Sequence, residues 1–150
     1  MDLSHPAVAS FIERFERGEV TKAEWTHQAH LVAGYWYVNN VGAEQAIEEM
    51  RRRIRFHNES VGTAHTDSSG YHESITRLYV HGIAAFRAQQ PAAKFEDGLN
   101  ALLASPMNSS SWPLQFYSRE RLFSIEARRG WVEPDLPAWA GRYALRPTTL

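Results

Sequence analysis

Cysteine is absent from the 150 residues. That absence excludes disulfides, thiolate metal sites and cysteine nucleophiles, so any metal must be held by histidine, carboxylate or other oxygen ligands. A dominant charge is missing too: 16 basic residues stand against 17 acidic ones, for a net charge of −1. Nothing global draws the chain to nucleic acid or to an anionic membrane surface. The densest apolar run, Ala29 to Val38, is too short to span a bilayer. The opening stretch MDLSHPAVASFIERFERG has neither a basic n-region nor a long apolar core. No signal peptide is expected, and cytoplasm is the default compartment. No glycine-rich dinucleotide or P-loop pattern occurs, so no nucleotide cofactor is expected.

What is present is globular in composition, with 43% hydrophobic and 22% charged residues. The spacing predicts helices throughout. Ser4, Pro6 and Gly18 bracket a first helix to about Arg17 with Val8, Phe11, Ile12 and Phe15 on one face. Thr21 and Glu24 have capping-box spacing, which predicts a second helix from there to about Asn39. Its later half is apolar on nearly every side and belongs at the centre. Asn39, Asn40 and Gly42 are stop signals. A third helix over about Ala43–Asn58 turns Ala46, Ile47, Met50 and Ile54 inward, with His57 closing that stripe. A fourth covers about Tyr71–Gln89 and a fifth Phe95–Leu103. From Trp112 on, short turns alternate with prolines and the last residues look irregular. The expected fold is an all-α bundle of about five helices, residues 1–150 forming one domain, with a partly irregular C-terminal tail packed over it.

Two histidines open the central helix. His27 and His30 are three residues apart and lie about 60° from one another on the helical wheel. His72 occupies a similar position at the start of the fourth helix, one turn before Ile75, with Glu73 beside it. If those two helices run parallel, all three imidazoles meet at one end. Three imidazoles suit a divalent metal such as zinc or iron, with Glu73 as general base and Tyr71 as the next acid–base candidate. The competing account of these histidines is hydrogen-bonded core residues. His5, His57 and His65 fall in capping, helix-end or loop contexts, which points to surface residues rather than ligands, and His81 lies on the opposite side of its helix from His72. The basic run Arg51, Arg52, Arg53 and Arg55 has glutamates one turn earlier (Glu48 before Arg52, Glu49 before Arg53), which marks a solvated face rather than a nucleic-acid surface. In the tail, Tyr117, Ser118, Arg119 and Arg121 could reach the site and grip an anionic substrate.

The strings Trp25-Thr26-His27-Gln28-Ala29-His30-Leu31, Tyr71-His72-Glu73-Ser74-Ile75-Thr76 and Tyr117-Ser118-Arg119-Glu120-Arg121-Leu122-Phe123-Ser124 carry a resemblance. The chain resembles a group of small bacterial helical proteins with F-T-H-x-x-H-L, Y-H-E-T-I-T and Y-S-R-E-x-L segments. Trp25 replaces Phe and Ser74 replaces Thr. The resemblance adds weight to His27, His30, His72, Glu73 and the tail, and brings no reaction with it. The leading expectation is a small-molecule enzyme, a metal-dependent hydrolase or lyase acting by hydrolysis, hydration or elimination at a His/Glu site. The alternatives are a non-catalytic ligand-binding or regulatory helical domain, and an interaction module that dimerises through exposed tail aromatics.

Overall fold

A computed structural model describes residues 1–139. The expectation of irregular final residues falls partly on 140–150, outside the described residues. Among the described residues the chain is all-helical. In order, the α-helices are α1 (His5–Glu16), α2 (His27–Ser60), α3 (Glu73–Ala88), α4 (Phe95–Leu103), α5 (Arg119–Leu122) and α6 (Ile125–Arg129), with 3₁₀ turns at Trp112–Gln115 and Pro137–Trp139. No helix among them is long and apolar enough to cross a membrane.

α1 forms as its signals predict. The Ser4 hydroxyl accepts from the Ala7 amide at 3.4 Å, and Val8, Phe11, Ile12 and Phe15 are buried. Each large apolar side chain so buried contributes roughly 1.5–3 kcal/mol. The capping box at Thr21 also forms, since Thr21 N donates to Glu24 Oε1 at 3.0 Å and Glu24 N to Thr21 Oγ1 at 3.2 Å. It closes only a turn. Arg14 takes both Glu24 oxygens, at 2.7 and 2.8 Å, and ties that turn to α1. The helix starts later, at His27, where Thr26 is the N-cap and accepts from the Ala29 amide at 3.2 Å.

α2 is two helical halves joined at Gly42, whose φ of 80° and ψ of 168° are not helical and break the direction of the chain. That conformation is essentially reserved for glycine. The expected second and third helices are therefore the two halves of α2. The first half runs beside α3 in the same direction. His27 meets Tyr79 with ring centroids 5.2 Å apart, Gly34 faces Ile83, and the Arg87 Nε donates to Asn39 Oδ1 at 2.8 Å. A Cβ on Gly34 would fall 2.8 Å from Ile83 Cδ1, so the missing side chain is what allows this close approach. The second half runs against α3: Arg51 grips Glu73, while Ile47 shares a cleft with Arg77 and His81.

The tail packs across the start of α3. Leu122 and Ala127 are buried, as are Trp112, Phe116, Tyr117 and Trp139. The Ser74 hydroxyl donates to Gly130 O at 2.8 Å and accepts from Val132 N at 3.1 Å. Arg128 Nη1 donates to Gly70 O at 3.0 Å. Of the tail aromatics, Phe123 is exposed, whereas Trp112, Phe116, Tyr117 and Trp139 are inside.

Candidate functional site

His27 and His30 do share one site. Both line a cavity of about 310 Å³ between the two halves of α2 and α3. Its walls are mostly apolar, with Leu31, Met50, Ile54, Ile75, Val80 and Ile83. Thr76, Tyr79 and the exposed Ser110 complete the lining. The volume lies at the lower end of the range for small-molecule pockets, and the mixture of apolar wall with a few polar groups is typical of them.

Local structure dictates how each imidazole is held. Trp25 precedes the N-cap and His30 is the fourth helical residue, the two positions that pack together across a helix start. Their rings lie 4.0 Å apart. His30 Nδ1 is 2.7 Å from Thr26 O. A carbonyl only accepts, so Nδ1 carries the proton and Nε2 keeps a lone pair. Burial pushes the His30 pKa down to about 4, outweighing the bond to Thr26, and the charges of His27 and His57 push the same way. His30 is therefore neutral near pH 7. By the same logic His27 Nε2 donates to Met107 O at 2.9 Å, so Nδ1 is the nitrogen not engaged with the backbone.

His72 does not join them. With His27 level with Tyr79, His72 sits seven residues further down α3, roughly 10 Å along the axis. Its ring is occupied at both nitrogens. Nε2 donates to Leu122 O at 2.6 Å, and Nδ1 accepts from the Ile75 amide at 3.1 Å as the N-cap of α3. No lone pair remains for a metal. The expected convergence of His27, His30 and His72 is thus corrected by helix register, since parallel helices need not start at the same height. Among the described residues no group of three or more His, Asp or Glu could hold a metal ion.

Glu73 is also committed elsewhere. Arg51 donates to both carboxylate oxygens, at 2.8 and 2.6 Å, and the Tyr71 hydroxyl donates to Oε1 at 2.7 Å. Burial pushes the carboxyl pKa up, but the Arg51 and Tyr71 hydrogen bonds and the nearby cations outweigh it and hold the pKa below its ordinary value. An ionised, fully paired carboxylate is not placed to serve as a base. Burial, with the negative charge of Glu73, raises the Tyr71 hydroxyl pKa, which removes it as an acid–base group near neutrality. Arg55 lies over the Tyr71 ring at 5.1 Å.

The four tail residues build the tail. Tyr117 donates to Val132 O at 2.6 Å, and Ser118 Oγ donates to Asp135 Oδ2 at 2.7 Å. Arg121 Nε donates to Glu133 O at 2.5 Å, and Arg119 is exposed. None of them lines the histidine cavity. The segment that does reach it lies earlier: Met107 O receives His27, Ser109 O receives the Tyr79 hydroxyl at 2.7 Å, and Ser110 stands at the rim. Thr76 and Tyr79 stand four and seven residues after His72, on one helical stripe, but nothing in the sequence ties residues 107–110 to His27.

The remaining histidines divide. His5 and His65 are exposed, whereas His57 is 1% exposed, with Nε2 donating to Val20 O at 3.1 Å. His57 does stand near a helix end, but the surface position expected for it is corrected to a core one, because Trp25 and Phe15 cover it. In the basic run Arg52 and Arg55 are exposed, but Arg51 and Arg53 are half-buried and Arg51 holds the buried Glu73, so the expected solvated face is only part of it; Glu48 pairs with Arg51 and Glu49 with both Arg52 and Arg53. Compared with protein-family models, curated proteins and solved structures, the chain matches none.

Proposed function

We propose that the protein binds a small, largely apolar molecule in the cavity between α2 and α3, with His27 and His30 as its polar contacts. The observation that carries this reading is the cavity itself, an apolar enclosure of about 310 Å³ with two imidazoles of fixed orientation in its wall. Orientation matters because a polar group pinned by a second hydrogen bond confers specificity at low entropic cost. The reading is the non-catalytic alternative of the sequence analysis. A metal-dependent hydrolase or lyase draws less support: His72 and Glu73 are committed to the capping and ion pairing of α3, and two imidazoles fall short of the three protein ligands of a catalytic zinc site.

The cavity is tested with benzene, a probe of apolar enclosures. Benzene near saturation is expected to raise the melting temperature by about 4 °C through selective binding to the folded state. Ser110 is exposed where it lines the cavity. Ser110→Trp should therefore leave the melting temperature of the free protein within about 2 °C, since surface substitutions typically change stability by under about 0.5 kcal/mol. The same variant should abolish the benzene shift by closing the mouth. A shift of equal size in Ser110→Trp, or no shift in the wild type, would overturn the proposed binding site.

A further inference from the structure

We infer that the cavity selects a ligand carrying a neutral hydrogen-bond donor, a hydroxyl or N–H group, on an apolar body. This deepens the small-molecule reading and rests on it. The inference follows from where the protons of the lining groups go.

Each polar side chain inside the cavity has already spent its proton. The proton of His27 is given to Met107 O and that of His30 to Thr26 O. The Thr76 hydroxyl donates to His72 O at 2.9 Å, and the Tyr79 hydroxyl to Ser109 O. What these four groups can still offer is lone pairs: an imidazole nitrogen from each histidine and a hydroxyl oxygen from each of the others. The backbone amides of the surrounding helices are used within the helices. Ser110 has a hydroxyl to give, but it is exposed at the rim, where water competes. The interior is thus an acceptor-only surface.

The chemistry of the ligand follows by complementarity. A carboxylate or phosphate has only acceptors and would meet lone pairs with no donor and no lining cation, since none of Arg51, Arg119 and Arg121 lines this cavity. An ammonium ion would be desolvated against apolar walls with no carboxylate in the lining to neutralise it, because Glu73 also lies outside it. A neutral hydroxyl or N–H group pairs with an imidazole lone pair and leaves no buried charge. A ligand with no donor at all would leave the histidine lone pairs unsatisfied. His30, neutral and oriented through Thr26, is the principal acceptor. The anionic substrate expected from the tail arginines does not suit this interior.

Three probes of similar size separate the alternatives: phenol, anisole and benzoate, titrated at pH 7.5 and followed by calorimetry and ligand-observed NMR. Phenol should bind at least tenfold more tightly than anisole, which matches its ring but has no donor, and benzoate should not bind measurably. In His30→Leu, phenol should weaken to the level of anisole while anisole is little changed. Because His30 also packs on Trp25, the wild-type series stands by itself if that variant fails to fold. Equal affinities for phenol and anisole, or tighter binding of benzoate, overturn the donor rule while leaving the cavity as a binding site. Failure of benzene and of all three probes to bind overturns the cavity reading and the donor rule together.

Discussion

Glu73→Ala is expected to cost about 3 kcal/mol of folding stability, the lower end of the range for breaking a buried ion pair. The carboxylate side chain is 9% exposed and that of Arg51 29%, so the abandoned guanidinium is only partly rescued by water. The Tyr71 hydroxyl loses its acceptor at the same time. Glu73→Gln keeps the shape and should cost less, because one amide oxygen can still accept. The pair also gives a pH signature. Its folded-state pKa lies below the ordinary carboxylate value, so the stabilisation is complete above about pH 4.3. As pH falls further, the unfolded chain takes up the proton first, and the contribution fades through the folded-state value. Chemical denaturation between pH 7 and pH 3 should show an acid loss in the wild type that is smaller in Glu73→Gln. An unchanged acid limb would mean that the Arg51 pair does not stabilise the fold.

His72→Ala is the second large effect, at about 2–4 kcal/mol. Two losses combine: the N-cap of α3, typically about 1 kcal/mol, and a buried Leu122 carbonyl left without a donor, about 1–3 kcal/mol. Asparagine restores a cap acceptor but cannot reach Leu122, so the order of stability should be wild type, His72→Asn, His72→Ala. Burial lowers the His72 pKa, against the pull of the Leu122 carbonyl. Its contribution is therefore full above about pH 6.5 and is lost as pH falls below that value. Zinc provides the contrasting measurement. A ring with both nitrogens occupied should give no zinc-dependent rise in melting temperature that His72→Ala removes. Such a rise would restore His72 as a metal ligand.

The sequence carried local information faithfully and long-range register hardly at all. The caps and stripes of α1, the stop at Gly42 and the whole of α4 were legible because a cap, a glycine or a period of 3.6 acts within a few residues. The parallel course of α3 beside the first half of α2 followed from the intervening return. Its vertical offset did not, because it is set by close packing, with Gly34 against Ile83. That offset decides that His27 meets Tyr79 and that His72 becomes a cap. The histidine pair was therefore readable and the triad was not. Glu73 misled for a related reason: its partner Arg51 is 22 residues away, on a helix that was assigned as a solvated face. The tail residues looked like a reach toward the site, whereas their hydrogen bonds close on Val132, Glu133 and Asp135 a short distance further along the chain.

The reversal at Gly42 makes one residue outside the cavity responsible for its shape. A Cβ there would meet nothing within 4 Å, so space does not demand glycine; the backbone angles do. Any other residue would hold φ 80° and ψ 168° only under strain, on the order of 1–3 kcal/mol. Leu31 and Gly34 come from the stretch before that turn, and Met50 and Ile54 from the stretch after it. Gly42 thus sets the angle between two walls that it does not itself line, and with it the space in front of His27 and His30.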